Sequence, residues 1–389
     1  VYTIATYLSS YRVTWVHSIY SIYLLKWIQM DNSAPQVPAT NSNSAAKRDL
    51  DGLISRLNAV ELPPELKDKA TSMVERLERM FTQGFYSEEF EKVSHYIDWI
   101  IKVPWVKRVE RPIDLASIKT AMDKSHHGME MVKERILEYM SILKLRTTRG
   151  LGVAKAPMLC LVGLVGTGKT TFAYALSEAL GRPIARIPFG GLGSARDLRG
   201  ESRLHIEAEP GYIARAVCDT GVKNPIILLD EIDRVTEEAR MDIMGVLVEV
   251  LDPSQNNRFL DHFIDYPIDL SEVMFIATAN NTGNLATAVM DRLEPIMMPS
   301  YSDDEKMHIA QNYLFPKALE AAGMDTATIT IDPSLWPTLI RPLGYDAGIR
   351  TLNRTIEGVV RKVAMMVVTG QAQTVNLTPD NIKSFLPKW

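Results

Sequence analysis

One junction constrains the fold more than any other feature. The apolar run MLCLV at 158–162 passes directly into GLVGTGKT at 163–170, and that passes into TFAYALSEAL, whose apolar residues recur at helical spacing. An unbroken apolar run bounded by glycine reads as a strand buried on both faces, and a strand followed at once by a helix returns the chain toward a parallel neighbour. Two further runs, IILLD at 226–230 and VMFIATAN at 273–280, alternate with helical stretches in the same way. The expectation is an α/β domain in which a parallel sheet is flanked by helices.

The residues at the junction carry chemistry. Gly163, Leu164, Val165, Gly166, Thr167, Gly168, Lys169 and Thr170 satisfy G-x-x-x-x-G-K-[ST], between an expected strand and an expected helix. Glycines let such a P-loop curl its N–H groups toward phosphates, and the helix N-terminus adds partial positive charge. Lys169 should then reach the β- and γ-phosphates of ATP, and Thr170 should hold Mg2+. Without the flanking strand and helix, a glycine-rich turn of this kind would be unremarkable.

Some sixty residues on, IILLDEID ends an apolar strand in paired acids, Asp230 and Glu231. Acids at a helix start are common, but beside a P-loop Asp230 is expected to hold Mg2+ through water and Glu231 to activate the attacking water. Asn280 closes the third apolar run and could position the same water, although an Asn there is usually a turn former. Arg292, in MDRLE, and Arg350, in DAGIRTLNR, would be ordinary surface arginines if seen alone.

At 389 residues the chain calls for two or three domains. A net charge of -4 gives no general attraction to nucleic acid, which is not expected as a partner. Cys160 and Cys218 fit no metal-ligand spacing and are expected to be buried, reduced thiols without a disulfide. Residues 1–29 are rich in Tyr and Trp, and Arg12 with many hydroxyl side chains argues against a membrane span. Met30 is read as the natural start, followed by a polar tether over 31–46. The expected domains are an atypical stretch at 1–46, a helical domain at 47–118, the large α/β subdomain at 119–300 and a small helical lid at 301–389. Helix starts in the lid are expected at Ser302, with Glu305 in capping-box spacing, and at Thr378-Pro379.

From about Glu61 onward the chain resembles the ATPase part of the Lon proteases. KNPIILLDEID, VEVLDPSQNNRFLDHFIDYPIDLSEVMFIATANN, DEKMHIAQNYLFPKALEAAGM and YIDWIIKVPW followed by MVKERILEYM carry the resemblance. It implies an AAA+ motor in which Asn280 is sensor 1, Arg292 is an arginine finger given to a neighbouring subunit, and Arg350 is sensor 2 on the lid. A finger acting in trans implies a homo-oligomeric ring, expected to be hexameric, acting on unfolded or misfolded protein substrates. The expected compartment is a bacterial cytoplasm, with an organelle matrix as the alternative.

The chain departs from the family pattern in several places. Leu164-Val165 replaces paired prolines in the P-loop. His205-Ile206-Glu207 stands where the family usually has a Tyr-Ile-Gly pore loop, so grip on a substrate should change. His127 replaces a Tyr near the adenine pocket. No Ser and Lys dyad can be placed before Trp389, so peptide-bond cleavage is not expected of this chain alone. A motor that threads polypeptide is the first expectation; a nucleotide-gated scaffold or adaptor, which assembles on ATP without pulling, is the alternative.

Overall fold

A computed structural model describes residues 40–82, 88–151, 158–205, 207–341 and 346–386. Residues 1–39, with the expected start at Met30, and Ile206 lie outside the described residues.

Three helices come first: α1 (Thr40–Asn58), α2 (Pro64–Thr82) and α3 (Glu88–Lys102). Leu50, Leu53 and Leu57 on α1, Leu66, Ala70 and Val74 on α2, and Tyr96, Ile97 and Ile100 on α3 are all buried. Helices of this length are marginal alone, and burying the three apolar stripes together stabilises them. The tether expected up to residue 46 is corrected here, because α1 is helical from Thr40. Residues 40–46 contain no Pro or Gly, so nothing stops the helix nucleated by the leucine stripe from extending back through them.

α4 (Leu115–Ser125) and α5 (Glu130–Thr148) lead into the sheet. α4 straddles the boundary expected at 118. The Asp114 carboxylate caps it by accepting the N–H groups of Ala116 and Ser117, and Ile118 and Met122 sit in the sheet's core. The sheet comprises β1 (Met158–Val162), β2 (Ile184–Pro188), β3 (Ile226–Asp230), β4 (Met274–Ala279) and β5 (Leu293–Met297). Its order is β2-β3-β4-β1-β5 and every pairing is parallel. The helices α6 (Lys169–Leu180), α7 (Tyr212–Thr220) and α8 (Arg240–Leu251) belong to the same unit.

Successive strand residues enter opposite cores. Leu159, Leu161, Leu228 and Ile276 belong to one, and Cys160, Val162, Leu229 and Ala277 to the other, which continues into the N-terminal helices. With both faces covered, every residue of β1, β3 and β4 is buried, which is why these strands read as unbroken apolar runs. Cys160 lies in β1 and Cys218 in α7, and burial pushes both thiols up to about 12.

The lid begins with α9 (Asp303–Ile309), capped by the expected box of Ser302 and Glu305. A π turn, Ala310–Leu314, links it to α10 (Phe315–Ala321). Pro316 in α10 has no N–H for the helical ladder, and the π turn stands immediately before it. α11 (Trp336–Ile340), α12 (Arg350–Val368), α13 (Ile382–Phe385) and a parallel pair, Ile329–Ile331 with Val375–Leu377, complete a separate core. α13 starts after Asn381 rather than at Thr378-Pro379, because the Asn381 side chain accepts the Thr378 N–H at 2.9 Å and holds that segment as a turn. Among the described residues no helix is long and apolar enough to cross a membrane.

Candidate nucleotide site

Parallel register brings the carboxyl ends of three strands to one edge. Val162 lies beside Ala279, and Leu229 beside Ala277. That edge is where open α/β sheets bind ligands, and a cavity of about 820 Å³ opens there between the sheet and the lid. Lys169, Asp230, Glu231, Asn280 and Arg350 all line it.

The P-loop has the backbone its sequence requires. Gly166 and Gly168 stand at φ +84° and +94°, which side chains rarely tolerate, and a Cβ on Gly163 would lie 2.7 Å from Met298. Leu164 and Val165 form the exposed tip. The Lys169 ammonium donates to the carbonyls of Gly163 at 2.6 Å and Leu164 at 2.9 Å, and to Asn280 Oδ1 at 3.2 Å. Burial lowers the Lys169 pKa, while Asp233, Glu231 and Asp230 act in the opposite direction.

The acids are oriented by residues that the sequence did not single out. Thr278, fully buried on β4, donates to Asp230 Oδ1 at 2.6 Å and accepts the Glu231 N–H at 2.9 Å. The Thr170 hydroxyl meets the same Asp230 oxygen at 3.3 Å. Arg186 on β2 grips the other oxygen through Nε at 2.7 Å and a terminal nitrogen at 2.6 Å. Glu231 itself has φ +57°, a left-handed backbone costing a non-glycine residue roughly 1–2 kcal/mol, which turns its side chain into the cavity. The only available signal for Thr278 was a hydroxyl residue among apolar ones at a strand end; nothing in the run IARIP marked Arg186.

The residues present fit a magnesium nucleotide. Among the described residues the buried Asn280 Nδ2 group has no hydrogen-bond partner, which makes it an orphaned donor at the cavity. Thr170 and Asp230 offer only oxygen, the donor type Mg2+ prefers. The lid closes over the loop by backbone contact, since Ile349 N–H donates to the Gly166 carbonyl at 3.1 Å and Arg350 begins α12 directly above it.

Other expected site residues lie elsewhere. Arg292 is bound to Asp252 Oδ2 at 2.6 Å and to the Ala288 carbonyl at 2.8 Å, outside the cavity lining. His127 is also outside that lining and stacks on His308 with ring centroids 3.7 Å apart. Its neighbour His126 touches the P-loop instead, 3.1 Å from the Gly168 carbonyl and stacked on Phe172 at 3.5 Å. His205 and Glu207 are exposed and do not line the cavity.

Comparison with known proteins agrees with this geometry. Residues 159–301 match the ATPase family associated with various cellular activities (AAA), and residues 320–375 match the Lon protease AAA+ ATPase lid domain. The chain is 37% identical to Lon protease 2 of Thermus thermophilus over 338 residues, covering 85% of this chain and 42% of the relative. It is 38% identical to Lon protease of Desulforamulus reducens, covering 85% and 40%. It is 35% identical to the mitochondrial Lon protease homolog of Rattus norvegicus, covering 86% and 34%. The chain thus spans about two fifths of the bacterial relatives and a third of the mitochondrial one. A parallel five-stranded sheet with a P-loop, a Lon-type lid and this identity together mean that the chain belongs to the Lon protease family, as an AAA+ ATPase module.

Proposed function

We propose that this chain hydrolyses ATP and uses the cycle to move a bound polypeptide. The observation that carries the reading is the convergence of Lys169, Asp230, Glu231, Asn280 and Arg350, from both subdomains, on one cavity. Lys169 and the P-loop N–H groups would hold the phosphates, and Arg350 would sense the γ-phosphate from the lid. Mg2+, held by Thr170 and through water by Asp230, would neutralise charge on the β- and γ-oxygens. Glu231 would take the proton of the water that attacks the γ-phosphorus, with Asn280 orienting that water. Loss of the γ-phosphate would then release the lid from the P-loop, a hinge motion able to drive loop 204–207.

In this reading the chain works as a homo-oligomeric ring, hexameric by family pattern, with Arg292 reaching the neighbouring site. Unfolded proteins are its substrates and a bacterial cytoplasm or organelle matrix its compartment. Glu231→Gln should leave ATP binding within about twofold while lowering turnover about 10²–10⁴-fold, the usual contribution of a general base. Turnover at the parental rate in that variant would remove Glu231 from the role.

The scaffold or adaptor reading is favoured by one observation: His205 and Glu207, both exposed, replace an aromatic grip with a negative charge. ATP turnover with and without casein separates the two, beside the His205→Tyr variant. Stimulation by casein supports the motor. Turnover indifferent to casein in the parent, but stimulated in the Tyr variant, supports the scaffold.

A further inference from the structure

The loop that carries His205 and Glu207 is pinched at its base. A Cβ on Gly211 would lie 2.2 Å from the Leu198 carbonyl oxygen, and one on Gly200 would lie 2.7 Å from the Gly211 nitrogen, so the two arms touch backbone to backbone. The buried Asp261 carboxylate accepts the Gly211 N–H at 2.8 Å, and Glu201 N–H donates to the Glu209 carbonyl at 3.2 Å. Past this stem Leu204 is 92% exposed, and His205 and Glu207 are exposed beside it.

Both arms are tied to the N-terminal helices. Arg203, just before the tip, lies with its guanidinium carbon 4.0 Å from the ring centroid of Tyr96 on α3 and one nitrogen 3.2 Å from Asp265 Oδ2. The same oxygen accepts Lys69 of α2 at 2.6 Å. The Tyr96 hydroxyl donates to the Ile264 carbonyl at 3.2 Å, which fixes the ring. On the other arm, Glu209 meets His95 of α3 at 3.1 Å. Asp265 adopts φ +51°, a backbone that Asp tolerates better than most residues, and its carboxylate thereby lies between the two cations. Ion pairs this exposed add little to stability. A guanidinium stacked on a fixed ring and paired with one acid, however, has a narrow choice of direction.

We propose that Arg203 is a positioning residue, clamped between Tyr96 and Asp265, through which α2 and α3 set where the tip residues Leu204, His205 and Glu207 lie and hence how well the tip grips an unfolded polypeptide. The inference rests on the motor reading, in which that tip meets the substrate. The clamp joins Lys69 of α2, His95 and Tyr96 of α3, Arg203 and Glu209 of the loop arms, and Ile264 and Asp265, so its geometry is a property of how the N-terminal helices dock. It lies apart from the nucleotide cavity, so its loss should spare basal hydrolysis.

The test uses Arg203→Met, Arg203→Lys, Lys69→Met and Asp265→Asn, the last keeping a side chain suited to a left-handed backbone. ATP turnover is measured alone and across a casein titration, with amide hydrogen exchange as a second readout. For Arg203→Met, turnover without casein should stay within about twofold and the maximal stimulated rate should hold, while the casein KM rises about tenfold; Arg203→Lys should recover part of it. Exchange should quicken at 201–209 with the sheet unchanged. A parental casein KM in Arg203→Met, with the parent stimulated normally, overturns the clamp and leaves the motor reading standing. A parent that casein neither stimulates nor binds overturns the motor reading, and the clamp's role in grip falls with it. General loss of protection in Arg203→Met would shift the decision to Lys69→Met, where the same two outcomes apply.

Discussion

At the scale of single residues, His126 shows how protonation couples to the P-loop. Its Nε2–H donates to the Gly168 carbonyl at 3.1 Å, which leaves Nδ1 to accept the Ser125 hydroxyl at 2.8 Å. Burial lowers the imidazole from its ordinary 6.5 to about 4, against the pull of the Gly168 carbonyl and with help from Lys133. The unfolded chain takes up this proton as pH falls through 6.5, and the folded chain only near 4. Stability from neutral His126 is therefore full above 6.5 and declines between 6.5 and 4, by up to about 3 kcal/mol. Urea midpoints at pH 7.5 and 4.5 should fall further for the parent than for His126→Gln; equal falls would mean that His126 is protonated in the folded protein. The sequence places His127 near the adenine pocket, whereas the ring that touches the P-loop is that of His126. Two adjacent histidines cannot be told apart by type. The backbone decides, because the chain leaves α4 and turns through Gly128 and Met129, both at positive φ, so that the two rings face different partners.

At the scale of elements, the lid contact rests on bare backbone. A Cβ on Gly348 would lie 2.5 Å from the Gly166 carbonyl carbon and 2.6 Å from the Val165 oxygen, atoms that cannot swing away as a side chain could. Gly348→Ala should push α12 and Arg350 off the P-loop, weaken binding of a fluorescent ATP analogue about tenfold, and destabilise the fold by roughly 1–3 kcal/mol, the usual range for overpacking. Unchanged affinity would mean that the lid contact makes no contribution to nucleotide binding. The elements that could be read in advance were those whose burial is two-sided or periodic. β1, β3 and β4 are apolar throughout because both faces are covered, and α6 follows the P-loop with apolar residues at helical spacing. β2 was not read, because it is an edge strand with Arg186 among its apolar residues and one side open. The P-loop and the paired acids were legible because their residue types follow from phosphate and metal chemistry. Thr278 and Arg186 were not, since their partners are fixed by sheet register, which places β4 on one side of β3 and β2 on the other.

At the scale of the whole molecule, the position of Arg292 bears on assembly. It follows the helical turn Thr287–Met290 and precedes β5, held by Asp252 and the Ala288 carbonyl, away from the cavity of its own chain. An arginine that completes a site from there has to complete a neighbour's, and head-to-tail interfaces of that kind close into rings. In the proposed motor, Arg292→Ala spoils the site of the next subunit while leaving its own intact, whereas Glu231→Gln spoils its own and still donates a finger. Each variant alone should lose turnover by about 10²-fold or more, within the range for groups that stabilise transferring phosphate. Mixed in equal amounts and allowed to exchange subunits, they should regain activity, because about a quarter of randomly formed interfaces pair an intact Glu231 with an intact Arg292. Recovery near that share, scaling with mixing ratio, establishes the finger in trans. A mixture no more active than its components, with exchange verified by fluorescence transfer between labelled subunits, would return Arg292 to the role its bond to Asp252 already supports, bracing the start of β5 within a single chain.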